Sequence, residues 1–139
     1  MPSTSIIGKS SLRISISADG TVLAIGAYGN DAEDGTDSQR GHVRVYKFSN
    51  NSWSQLGTDI EGDDEGDAFG FDTALSSDGT ILAASGWYAK GDGANTSDPG
   101  HVKVFQYSNS TWSQIGSDIE GENVADRFGL SIDLSLIHI

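Results

Sequence analysis

The densest chemistry in the sequence is Asp59-Ile60-Glu61-Gly62-Asp63-Asp64-Glu65-Gly66-Asp67, six carboxylates in nine residues. Ca2+ takes six to eight oxygen ligands, and a carboxylate-rich loop is where it finds them. Paired acids also do acid–base work on glycosidic bonds. Both readings meet one objection. Residues 118–126 repeat the stretch with four carboxylates, and Asp59/Asp118 and Asp67/Asp126 fall in register. A catalytic pair occurs once per protein, whereas a residue that returns with every repeat fixes a turn, its carboxylate accepting backbone N–H bonds. The run therefore reads as a solvated, turn-forming loop that keeps strand edges apart.

Other reactive side chains follow the same rule. His42 and His101 each follow a glycine, one repeat apart, and read as strand-end hydrogen-bonding groups rather than metal ligands. Gly8-Lys9-Ser10 echoes the end of a phosphate-binding loop, but Ser3 stands where its first glycine belongs. Neither Gly-x-Ser-x-Gly nor His-Glu-x-x-His occurs. Trp53 and Trp112 are periodic, which points to packing between repeats. Trp87 is aperiodic, standing where the preceding repeat has Tyr28, and with Tyr88 it is the expected place for a ligand to stack. Asn50, Asn95 and Asn109 lie in Asn-x-Ser/Thr sequons.

The elements that carry these groups repeat with a period of 59 residues, so 139 residues hold about 2.4 periods. Residues 41–62 and 100–121 agree at fourteen of 22 positions. Each period reads as four short strands. Asp19-Gly20 and Asp78-Gly79 separate β-rich runs, which predicts hairpins closed by type I′ turns. The first strand alternates, with Leu12, Ile14 and Ile16 opposite Arg13, Ser15 and Ser17. Val22-Leu23-Ala24-Ile25 is apolar on both faces, as a strand between two layers would be. In the third strand Val43 and Val45 share one face, and Arg44, Tyr46 and Phe48 the other. The phrase Trp53-Ser-Gln-Leu-Gly-Thr-Asp-Ile60 supplies the fourth. No apolar period of 3.6 persists beyond a turn, so no helix is expected. The fold class is all-β, and four strands at fixed spacing predict β-propeller blades of four antiparallel strands, about two and a third blades of a larger propeller.

Composition narrows the partners. Eight basic residues against twenty acidic ones leave a net charge of −12 without a basic patch, so no nucleic acid is expected and an anionic membrane surface is disfavoured. No apolar run reaches membrane-spanning length. Cysteine is absent, which removes disulfides and thiolate metal sites. The first residues lack the charged and apolar regions of a signal peptide.

Phe69-Gly70, Ser76-Ser77-Asp78-Gly79-Thr80, Leu82-Ala83 and Trp53-x-Gln55-x-Gly57-x-Asp59-Ile60-x-Gly62 together resemble the FG-GAP repeats of integrin-α-like β-propellers. The first period has Ser10-Ser11 in place of Phe-Gly. The resemblance implies an extracellular or cell-surface, non-catalytic binding or adhesion scaffold that meets a protein or carbohydrate through its loops. It also implies a Ca2+ loop between second and third strands, where Asn30, Asp31, Asp34 and Asp37 are the expected ligands and Ala32 and Ser38 replace two others. The alternatives are a propeller hydrolase with its catalytic groups elsewhere, Arg13 being the single inner-strand candidate here, or a structural spacer. The expected divisions are a first blade over 1–62, a second over 63–121 and the start of a third over 122–135. Leu134–Ile139 reads Leu-Ser-Leu-Ile-His-Ile, which resembles a translated sequencing adaptor, so 136–139 is expected to be a non-native tail on a truncated frame.

Overall fold

The computed structural model describes residues 12–29, 39–86, 99–123 and 126–135. They form two five-stranded antiparallel sheets, without a helix among the described residues. The first holds β1 (Arg13–Ile16), β2 (Val22–Ala27), β3 (His42–Ser49), β4 (Ser52–Gln55) and β5 (Ile60–Glu61). The second holds β6 (Phe69–Leu75), β7 (Ile81–Gly86), β8 (His101–Ser108), β9 (Thr111–Gln114) and β10 (Ile119–Glu120). In each sheet four strands follow chain order, and the short fifth returns to pair with the third.

The sequence's fourth strand is thus split. Gln55 pairs with Tyr46, the chain leaves the ladder through Gly57 at positive φ, and Ile60 rejoins β3 opposite Val43. The repeat does the same through Gly116, with Ile119 opposite Val102.

The turns also differ in class from the sequence expectation. At Asp19-Gly20 only the glycine has positive φ, and the Gly20 N–H donates to Ser17 C=O at 3.0 Å. The Asp19 carboxylate organises the turn by accepting from Thr21 N–H at 2.9 Å and from both the Ser17 and Thr21 hydroxyls. The two-residue turns with positive φ at both positions are Asn50-Asn51 and Asn109-Ser110, between third and fourth strands. Asn tolerates the left-handed region, which is why it fills three of these four positions.

The sheets pack through one core. Val22, Ala24, Val43, Val45 and Ile60 from the first meet Phe69, Leu75, Leu82, Ala84 and Phe105 from the second. Val43 and Val45 are buried as their shared face requires, while Phe48 on the opposite face is exposed. Phe69 is fully buried, worth roughly 1.5–3 kcal/mol of apolar transfer. Its N–H donates to Arg40 C=O, and Gly70 then lies flat on Gly26, where a side chain would strike the Gly70 carbonyl. Only glycine allows two backbones so close.

β1 reverses the usual arrangement. Its polar face meets the second sheet: the Ser15 hydroxyl accepts from Leu75 N–H at 2.9 Å, and Arg13 lies over the Phe71 ring. Leu12, Ile14 and Ile16 point away and are exposed. β2, expected to be covered on both faces, is covered on one, with Leu23 and Ile25 half-buried; its counterpart β7 has Leu82 and Ala84 fully enclosed. A layer lies behind β7, and among the described residues none lies behind β2.

Candidate functional site

The side chains with the most developed electrostatics lie where the third strand passes the split fourth. β3 presents Arg44 on its outward face, β4 presents Gln55, and the Gly57 turn brings Asp59 back beneath them. Arg44 Nε donates to both Asp59 oxygens at 2.9 and 3.0 Å, Nη2 lies 2.9 Å from Oδ2, and Gln55 donates to Oδ1 at 2.6 Å. Partial burial opposes the Asp59 charge, but the Arg44 and Gln55 bonds outweigh it and hold the carboxyl below its ordinary range. The bond to Asp59 in turn raises the pKa of the Arg44 guanidinium, against its partial burial. These residues line an open groove of about 510 Å3 with Gly57, Thr58 and Glu61.

One period later Lys103 replaces Arg44. Its ammonium lies between the two sheets, bonded to Asp63 of the linker and 3.6 Å from Asp118, which also accepts from Gln114 at 2.7 Å. The Lys103 side chain is 5% exposed and that of Asp63 66%. Burial works against the ammonium, and the two carboxylates more than offset it, so its pKa is raised. The sequence reading put Arg44 on a strand face and Asp59/Asp118 in register without joining base to acid. The available signal was a basic residue and an acid, fifteen positions apart, recurring together in a chain poor in bases.

The acidic run divides by role. Asp67 is buried and accepts from Asp63 and Asp64 N–H at 2.8 and 3.0 Å, and Asp126 accepts from Asn123 N–H at 2.8 Å. That is the turn-fixing role read from periodicity. Asp59 and Asp118 instead bind side chains, a correction to the same reading. Among the described residues no three His, Cys, Asp or Glu side chains converge as a metal site.

The histidines also part company. Burial, with Arg44 nearby, lowers the pKa of His42. His101 stacks on Phe69 of its own sheet at 6.2 Å, and its buried Nε2 has no hydrogen-bond partner. Its role is therefore packing, where hydrogen bonding was expected. Trp112 packs as its periodicity implied: its indole N–H donates to Leu56 C=O in the first sheet at 2.9 Å. Trp53 is 46% exposed. The Ca2+ positions Asn30, Asp31, Asp34 and Asp37, the stacking pair Trp87 and Tyr88, and 136–139 lie outside the described residues. No helix of the described residues is long and apolar enough to cross a membrane.

No protein-family model matches the chain, and no curated protein matches it in sequence.

Proposed function

We propose that the two sheets are blades of an FG-GAP-type, integrin-α-like β-propeller, and that the chain is a non-catalytic binding or adhesion scaffold acting at the cell surface or outside the cell. The observation carrying this reading is the recurrence of one packing arrangement. Phe69 N–H donates to Arg40 C=O with Gly70 at φ 88°, and Phe128 N–H donates to Pro99 C=O with Gly129 at φ 88°. A fold that uses the same Phe-Gly dipeptide to seat each unit on the last is built by radial or linear repetition, and four-stranded units of this kind are propeller blades. Four to eight blades close a ring, so the reading requires more units than the two sheets.

In such a scaffold the ion pairs and aspartate turns hold the frame, and ligand contact falls to the connections between second and third strands, where the two periods differ most. The partner is a protein or a carbohydrate. The test is binding of the purified chain to glycan and extracellular-protein arrays, with Ca2+ and with chelator. Exchange of residues 30–38 or 87–98 for Gly-Ser of equal length is expected to abolish binding while leaving the far-ultraviolet spectrum unchanged. Binding that survives both exchanges, or turnover of an arrayed glycan, overturns the reading.

A further inference from the structure

The contact between the two sheets is a template whose two halves each occur once more, unfilled among the described residues. In the filled contact Trp112 lies on the Leu56-Gly57 ledge, bonded to the Leu56 carbonyl, so close that a Cβ on Gly57 would come within 2.8 Å of the indole. Ile115-Gly116 repeats that ledge one period later. Gly116 has φ 71° against 78° at Gly57, nothing lies within 4 Å of a Cβ built on it, and Ile115 is 46% exposed. One period earlier Trp53 repeats the indole. It tilts against Phe48 at 5.3 Å as Trp112 tilts against Tyr107 at 5.1 Å, so it is held in the docked pose with no ledge to dock on among the described residues. The charges repeat too. Lys103 takes Asp63 from the neighbouring unit; Arg44 stands at its place on the exposed face, and exposed Glu122 stands at the place of Asp63.

We propose that the chain associates head to tail with a second copy of itself, Trp53 and Arg44 of one copy seating on the Ile115-Gly116 ledge and Glu122 of the other. The contact joins two different patches, so each copy keeps one free face and association continues into rings or longer chains. Residues 126–135 lie over the inner part of the receiving face, held by the Phe128 N–H to Pro99 C=O bond at 2.7 Å and the Ile132 N–H to Asp72 carboxylate bond at 2.9 Å. By the repeat, β1 of the second copy belongs in that place, so docking lifts this segment. The segment thus holds association back. The inference rests on the contact between the two sheets alone, and failure of ligand binding leaves it standing.

Sedimentation velocity on the full chain, without ligand, tests it. The wild-type chain is expected to associate with rising concentration. Trp53→Ala and Ile115→Glu are each expected to weaken association by about 30-fold or more, as loss of a central anchor does. Both residues are exposed, so amide protection of β3 and β8 should be unchanged and will show that each variant is folded. Mixing the two variants leaves one intact head and one intact tail, and the mixture should form a heterodimer that grows no further. Phe128→Ala, which loosens the covering segment, should tighten wild-type association. A chain monomeric to its solubility limit, association unaffected by either variant, a mixture without heterodimer, or a Phe128→Ala chain that associates less overturns the proposal.

Discussion

Ile60 and Ile119 occupy the same place in two copies of one phrase, yet the first is 8% exposed and the second 51%. Trp112 and Trp53 show the converse, the later copy packed and the earlier one open. Each sheet has a forward face, which carries the isoleucine, and a rear face, which carries the tryptophan. The forward face of the first and the rear face of the second are pressed together. The aspartate turns, by contrast, do not differ. Ser17 and Thr21 hydroxyls reach Asp19 at 2.8 Å each, and Ser76 and Thr80 reach Asp78 at 2.7 Å each. Bonds that close within five residues repeat wherever the phrase repeats, whereas burial depends on what lies opposite.

The sharpest way to break this comparison is at the Phe-Gly dipeptides. Phe69→Ala should cost about 3–5 kcal/mol in urea unfolding, because a fully enclosed ring leaves a cavity. Phe128→Ala should cost about 1 kcal/mol or less, since the ring is already partly in water. Equal losses would mean that the third Phe-Gly is as firmly seated as the second.

The basic residues should separate by a smaller margin. Lys103→Ala removes a buried ammonium shared by two carboxylates and should cost about 1–2 kcal/mol, moderated by the exposure of Asp63. Arg44→Ala breaks a partly exposed pair and should cost about 0–1 kcal/mol, shrinking with added salt. Chemical unfolding at two ionic strengths checks both, and an Arg44 loss matching that of Lys103 would erase the distinction.

The smallest difference is expected at the turns. The Thr21 N–H, with the Thr21 and Ser17 hydroxyls, lowers the Asp19 carboxyl from 3.8 to about 2. The Ser76 hydroxyl, with Thr80, lowers Asp78 in the same direction. A carboxyl lowered by folding stabilises the native state above its unfolded value. That contribution fades as pH falls through the folded one. Carbon-detected NMR titration should place both midpoints below 3.8, and Asn at either site should flatten the acid limb of stability in the same sense. A normal midpoint at one site alone would show that distant packing reaches the turn.

Much of the architecture is legible in the sequence. The alternation in β3 put Val43 and Val45 on one face, and the periodicity of Trp112 and Asp67 marked them as structural, because alternation and period are both written in the chain itself. The break in the fourth strand was less legible, since Gly57 reads equally as a residue within a strand or as the bend it makes. The Lys103–Asp63 bond spans forty positions between two sheets, and no local pattern announces it. β1 shows the limit most plainly. Its alternation was read correctly, but alternation does not say which face meets protein.

From the sequence alone came the all-β class, the 59-residue repeat and the positions of the first three strands of each period, all consequences of side-chain alternation and of turns closed by adjacent residues. Tertiary structure alone decided which copy of each repeated residue is buried. Burial is a property of two surfaces in contact, and identical phrases facing different surroundings acquire different energies.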